Sequence, residues 1–371
     1  MRTVSRRHVL MGGGALLGSS MLPRIGLIEE AFGEEFPRPD YMIRAGWNEN
    51  PWGPSRVALQ AIVDSIKMSN LYGGNRRALT DLMGTIHNLP TDHISIGTGS
   101  GEILRTAGML ASVDKGSVVC ADPTYHDLIR YAETAGSKII RVPVNPETLH
   151  VDLNAMHKAI RKDTKCVYIA NPNNPIPSII EKNALREFTL DVSKDRMVFI
   201  DEAYFEFVDN PDYESLMDLV RDGHKNIVVA RTASKIHGLA GMRIGFGFAH
   251  PELTGQINDA KTGAINVLGL NAAYASYQDQ DFQEFTVRRN KESLSIVETM
   301  LDELGHRYVK SNANFSFIYT GRDINEVNQA FKAENILVGR PFPPMTDWVR
   351  VSMAKPHEME YFAQVYRKIL G

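Results

Sequence analysis

From about residue 90 onward, short apolar runs alternate with longer amphipathic stretches, and few architectures accommodate that rhythm. Candidate strands are HISIG (93–97), SVVCA (117–121), KIIRVPV (138–144), CVYIA (166–170), MVFID (197–201), IVVAR (227–231) and RIGFGFA (243–249). Helical patterns such as GEILRTAGMLAS, NAMHKAIRK and NALREFTLDVS lie between them. Strand and helix in this alternation make a mostly parallel sheet with helices on its faces, so the expected class is α/β with a seven-stranded sheet. After about residue 270 the texture changes to QEFTVRRNKESLSIVETMLDELG, NFSFIYT, INEVNQAFKAEN, ILVGR, WVRVSMA and a closing helix, which predicts a smaller α+β domain. A chain of 371 residues accommodates about two or three units. The expected division is a leader over 1–30, an N-terminal arm over 31–65, a large domain over 66–265 and a small C-terminal domain over 266–371.

Composition bears mainly on what the chain does not do. Hydrophobic residues are 43% and charged residues 23%, ordinary for a soluble enzyme, and a net charge of −3 gives no bias toward nucleic acid or an anionic membrane. Cys120 and Cys166 follow or sit within apolar runs, which predicts buried reduced thiols, and no metal-ligand cluster is visible. The start of the chain differs. SRRHVLMGGGALLGSSML joins Arg6 and Arg7 to a short, glycine-rich apolar segment, which reads as a twin-arginine export signal and predicts a periplasmic or otherwise extracytoplasmic protein. The alternative is a disordered basic start. The apolar part, Val9 to Leu22, is shorter than the roughly 20 residues that span a bilayer, so no permanent membrane helix is expected.

Ligands in open α/β sheets bind at the carboxyl ends of the strands, and the polar clusters of this chain stand at those ends. GTGSGE follows the first candidate strand, DPTYH the second, NPNNP the fourth, DEAY the fifth and TASK the sixth. A glycine-rich turn entering a helix leaves backbone N–H groups that can cradle a phosphate, although GTGSGE by itself is equally a plain turn. Its dinucleotide reading is weak, because Glu102 stands where a third glycine belongs. Lys235 follows an apolar strand among small residues, and a lysine partly desolvated beside an anionic cofactor can attack a carbonyl carbon. Arg243, Ser234 and Thr232 offer a fixed charge and hydroxyls to a phosphate.

The segment SKIHGLAGMRIG resembles the cofactor-lysine signature of fold type I pyridoxal-phosphate aminotransferases. NENPWGPS (48–55), LYGGNRRAL (71–79), GTGSGEIL (97–104), DPTYHDL (122–128), NPNNP (171–175), DEAY (201–204) and WVRVSMAKPHE (348–358) resemble that family in the same chain order, with spacing most similar to the histidinol-phosphate aminotransferase branch. The resemblance covers essentially the whole chain after the leader. It implies pyridoxal 5'-phosphate as cofactor, small amino and 2-oxo acids as substrates, and a homodimer with shared sites. Residue by residue, it assigns Lys235 to the cofactor carbon and the proton transfer, Asp201 to the pyridine nitrogen, and Asn174 and Tyr204 to the phenolic oxygen. Tyr125 would stack on the ring. Ser100, Gly101, Thr232, Ser234 and Arg243 would hold the phosphate, joined by Tyr72 of a second subunit. Arg350 would bind the substrate α-carboxylate, with Asn50 and Arg340 as further substrate-side candidates. His126 and His237 sit beside motif residues, where contact with substrate is one reading and a satisfied local histidine the preferred one.

Two positions depart from the family pattern. Ile176, Pro177 and Ser178 follow N-P-N-N-P in place of the usual threonine and glycine, and Gly101 stands where an acid is common. Both bear on the substrate rather than on a cofactor ligand. A lyase, decarboxylase or epimerase on the same fold stays open, since the residues around such a cofactor choose which bond breaks.

Overall fold

The structure, a computed structural model, describes residues 36–371; the segment with Arg6 and Arg7, expected above to be an export signal, lies outside the described residues. Residues Pro37–Gly371 form one compact unit. It opens with β1 (Ile43–Ala45), α1 (Arg56–Ser65), α2 (Arg76–His87), β2 (Ile94–Thr98) and α3 (Ser100–Ala111). Next come β3 (Ser117–Asp122), α4 (Asp127–Thr134), β4 (Lys138–Pro143), α5 (Leu153–Ala159), β5 (Thr164–Ala170) and α6 (Lys182–Val192). The sheet is completed by β6 (Met197–Asp201), α7 (Met217–Arg221), β7 (Ile227–Thr232), β8 (Ile244–Ala249) and α8 (Pro251–Ala260). The remainder is α9 (Val267–Ser276), α10 (Gln280–Leu304), β9 (Tyr308–Val309), β10 (Phe315–Tyr319), α11 (Ile324–Ala333), β11 (Ile336–Val338), β12 (Trp348–Ser352) and α12 (Pro356–Leu370).

The seven expected strands form one sheet in the order β2-β8-β7-β6-β5-β3-β4. The pairs β3–β4, β3–β5, β5–β6 and β6–β7 are parallel, while β8 runs antiparallel to both β7 and β2. Successive side chains of a strand point to opposite faces, and here both faces are covered. In β6, Val198 and Ile200 join one core cluster while Met197 and Phe199 join the other; in β7, Ile227 and Val229 separate from Val228 and Ala230 in the same way. This two-sided burial is why those strands read as unbroken apolar runs. A three-stranded antiparallel sheet, β12-β10-β9, carries the C-terminal part, and β1 pairs in parallel with β11.

The reversed strand positions the site. With β2, β3, β5, β6 and β7 all running one way, their carboxyl ends share one edge of the sheet, and β8, running the other way, brings its amino end to that edge. Arg243, immediately before β8, therefore arrives beside residues that end β2 and β7. A buried ion pair braces the same edge: Arg231 Nη2 lies 2.8 Å from Glu202 Oε2, with side chains only 7% and 1% exposed. Arg231 also donates to Ser215 Oγ at 2.7 Å, and Leu216 N donates to Glu202 Oε1 at 3.0 Å. The pair ties the residue after Asp201 to the residue before Thr232, and losing one partner of such a pair typically costs about 3–5 kcal/mol.

Both cysteines are buried and free, as the apolar context led us to expect, and burial pushes the Cys120 thiol up to about 12. Among the described residues no group of three or more potential metal-binding side chains occurs, and no helix is long and apolar enough to cross a membrane.

Candidate active site

A cavity of about 320 Å³ opens at the carboxyl edge of the large sheet. Its lining includes Ser100, Gly101, Tyr125, Asn174, Asp201, Tyr204, Thr232, Ser234, Lys235, Arg243, Arg340 and Arg350, which lie up to 250 positions apart in the chain. Asn50 and Tyr72 are not part of that lining. Asn50 is tied elsewhere, donating to Ile236 O at 2.8 Å and accepting from Trp52 N at 3.0 Å, and Tyr72 is fully exposed on a single chain.

One end of the cavity has groups that could hold an anion. Helix α3 starts after Gly99 without any side-chain cap, so backbone N–H groups of its first turn remain available. Gly245 in β8 lets that helix start approach closely, since a Cβ there would collide with the backbone of Ser100. Thr232 and Ser234 pair through their hydroxyl oxygens at 3.0 Å. Arg243 sits in the left-handed region with φ 57°, a conformation that costs a non-glycine residue about 1–3 kcal/mol and that clusters at functional sites. Its guanidinium donates only to the carbonyls of Ala240 and Thr98.

At the floor lies Asp201, 4% exposed at the end of β6. Burial pushes its carboxyl from 3.8 up to about 7, although Ala203 N and the Tyr168 hydroxyl both donate to it, at 3.2 and 3.4 Å. A carboxylate held this dry is unfavourable until a cation meets it.

The middle of the cavity is wired by hydrogen bonds. The Tyr204 hydroxyl accepts from Asn48 Nδ2 at 2.9 Å and Asn174 Nδ2 at 3.3 Å. With both lone pairs engaged, its own proton is left for a further acceptor. Lys235 Nζ, 5.4 Å from the Tyr204 ring centroid, donates to Asn48 O at 3.1 Å. Arg350 is 8% exposed in β12 and donates to Asn174 Oδ1 at 2.7 Å and Gly46 O at 2.6 Å, while its buried Nε has no partner. Burial lowers this guanidinium to about 10, so it too lacks a compensating charge.

Several lining residues escaped the sequence reading. The N-E-N stretch contains two asparagines, and it is Asn48, with φ 54°, that enters the cavity; Ser352 Oγ fixes its amide at 2.7 Å. Trp47, Thr124, Arg105 and Asp127 also line the cavity. Arg105 Nη2 pairs with Asp127 Oδ2 at 3.1 Å, and a Cβ on Gly101 would stand 3.1 Å from that same oxygen. The acid missing at position 101 is thus replaced in space by one from α4. The local reading holds for His237, which is buried against Ser276 Oγ at 2.9 Å and pushed down to about 3 by burial. His126 has a partner too, Arg340 Nη2 at 3.3 Å from its Nδ1, and it lines the cavity, where the alternative of substrate contact stays open.

An anion cradle, a dry acid, an amine and a buried arginine fit an aromatic aldehyde that carries a phosphate and a basic ring nitrogen, together with a carboxylate-bearing substrate. Comparisons with known proteins agree with that chemistry. The family model described as aminotransferase class I and II matches residues 42–365. The chain is 32% identical over 334 residues to histidinol-phosphate aminotransferase of Moorella thermoacetica, covering 89% of this chain and 86% of that protein. It is 30% identical over 346 residues to the enzyme of the same name from Akkermansia muciniphila, covering 92% and 94%. Among solved structures, histidinol-phosphate aminotransferase from Sinorhizobium meliloti, in complex with pyridoxal-5'-phosphate, superposes with a TM-score of 0.80 at 24% identity, over 94% of this chain and 96% of that one. Matching motifs, geometry and near full-length identity lead to one conclusion: the chain belongs to the class I and II aminotransferase family.

Proposed function

We propose that the protein is a pyridoxal-phosphate-dependent aminotransferase that moves an amino group between an amino donor, an amino acid or an amino-alcohol phosphate such as histidinol phosphate, and a 2-oxo acid. One observation carries this reading: Lys235, Asp201 and Arg350 converge on a single cavity whose far end is an anion cradle. When bound, the cofactor supplies an aldehyde carbon for the amine and a protonated ring that accepts electrons from the substrate α-carbon. Asp201 would meet the ring nitrogen and favour its protonated form through a buried negative charge. Tyr204 and Asn174 would hold the phenolic oxygen, Tyr204 by donating the proton left free by its two incoming bonds. Lys235 Nζ, which donates to Asn48 O, would be the group that holds and moves the substrate α-proton. Arg350 orients the substrate by its carboxylate. Purified protein incubated with labelled amino donors should exchange the amine only when a 2-oxo acid is present; carbon dioxide release without exchange would assign a decarboxylase instead.

A homodimer extends the proposal. Val57, Leu59, Val63, Ile66 and Leu71 are each about half exposed in the stretch of chain that leads to the fully exposed Tyr72, which supports a covered face there. We expect sedimentation to give a dimer. Mixing Lys235→Ala with Tyr72→Ala protein should restore activity, because each hybrid dimer regains one site with both groups; a fully active monomer would refute the shared site.

The extracytoplasmic location proposed from the leader is tested by fractionation: replacing Arg6 and Arg7 with lysine should retain the protein in the cytoplasm. We also propose an arm over 31–65 and lobes over 66–265 and 266–371. The seven-stranded sheet spans Ile94–Ala249 and the antiparallel sheet Tyr308–Ser352, which supports that division.

A further inference from the structure

Two neighbouring helix starts contribute to the cavity lining. Ser100 and Gly101 open α3, the proposed phosphate end, while Tyr125, the candidate for stacking on the cofactor ring, stands two residues before α4. Neither start carries a side-chain cap. A rigid ligand that reaches both depends on how far apart they stand, and a misplacement of about 1 Å at such a site can cost on the order of 100-fold.

A bridge from α3 to α4 sets that distance. Arg105 stands one turn after Gly101 on the same face of α3, and its Nη2 donates at 3.1 Å to Oδ2 of Asp127, the first residue of α4. The Asp127 side chain is only 8% exposed, and Arg130 Nη2 stands 3.9 Å from its other oxygen. Gly101 provides the room for the bridge: an added Cβ would stand 3.1 Å from Asp127 Oδ2 and 3.7 Å from Arg105 Nη2. Two turns further along α3, Gly108 lets the backbones touch, since a Cβ there would collide with Leu128 O of α4. The Tyr131 ring centroid lies 5.2 Å from the Arg105 guanidinium and 5.5 Å from that of Arg130, which confines both cations. The helices are therefore locked together, and their ionic contact stands at the end that meets the cavity.

Resting on the proposed aminotransferase reading and its cofactor, the geometry points to Asp127 as a positioning residue that, through Arg105, holds the phosphate cradle of α3 at the distance from Tyr125 that a phosphorylated pyridine ring requires. Location is what gives this acid its role. A carboxylate at position 101 would meet Arg105 as an i,i+4 neighbour inside α3 and brace nothing else, whereas the same group carried by α4 spans two elements.

The test uses pyridoxine 5'-phosphate, which carries ring and phosphate but no aldehyde and so binds without reacting with Lys235. Pyridoxine and inorganic phosphate are its two separate halves, and each of the three is titrated calorimetrically into cofactor-free full-length protein. Asp127→Ala should weaken pyridoxine 5'-phosphate about tenfold, while pyridoxine and inorganic phosphate, which each need one helix start, change less than about twofold. Asp127→Asn, whose amide oxygen can still accept from Arg105, should recover most of the affinity. Arg105→Ala, on the more exposed side of the pair, should reproduce the loss, and adding Asp127→Ala to it should have no further effect. Tenfold weaker binding of all three ligands would indicate general loosening of the fold and overturn the assignment, as would an unchanged affinity for pyridoxine 5'-phosphate in both alanine variants. Wild-type protein that binds no pyridoxine 5'-phosphate would overturn the cofactor reading, and the role of Asp127 with it.

Discussion

Replacing Lys235 with alanine is expected to slow amine exchange by at least about 1,000-fold, within the range that a positioned proton-transfer group and nucleophile supplies. No other lysine lines the cavity, and the Tyr204 hydroxyl cannot substitute as a base while two asparagine amides occupy its lone pairs. The substitution should leave the fold intact, because Lys235 Nζ makes a single hydrogen bond, to Asn48 O. Added methylamine should therefore recover part of the rate by entering the space vacated by the side chain. Borohydride reduction of the wild type should fix the cofactor to Lys235, detectable by peptide mass. Exchange at the wild-type rate in the alanine variant would end the assignment of this lysine.

Asp201→Asn should have effects of opposite sign on activity and on stability. Its carboxyl is raised from 3.8 to about 7 by burial, so folding penalises the ionised form. The cofactor-free protein then has its full stability from this group below about pH 4, loses it as pH rises toward 7, and stays at the lower value above. The gap between 3.8 and about 7 corresponds to at most about 4 kcal/mol. A neutral isostere removes that penalty: cofactor-free Asp201→Asn protein should melt higher than wild type at pH 8 and equally at pH 4. Amine exchange should meanwhile fall about 100- to 1,000-fold, the loss typical when one preorganised electrostatic partner is removed. A variant that melts lower at pH 8, or one that turns over normally, would contradict the role given to the acid.

The sheet was legible because its strands are sandwiched between two cores. MVFID was read as a strand with the limits that β6 has, and the other six strands were placed within one or two residues at most ends. What the sequence hid follows from physics as well. The direction of β8 leaves no trace in an apolar run, so its reversal within a mostly parallel sheet had no local signal. Helix α9, VLGLNAAYAS, is apolar on nearly every side and lacks the periodicity that marks an amphipathic helix. Helix α4 begins inside the DPTYHDL cluster, where the polar residues were read as chemistry rather than as a helix start. In the site, motif residues at strand ends were recoverable because a strand end points at the crevice. Asn48 and Arg105 were not: one depends on a left-handed backbone at a position where a neighbouring asparagine looked equivalent, the other on a turn of α3 that faces α4.

The stretch from Ile43 to Asn48 has a bearing on how the chain could be trimmed. Its β1 strand pairs with β11, Gly46 O receives Arg350, and Asn48 touches both Lys235 and Tyr204. Trimming of the amino end therefore has a firm downstream limit: a cut beyond Ile43 would take away a wall of the reaction chamber.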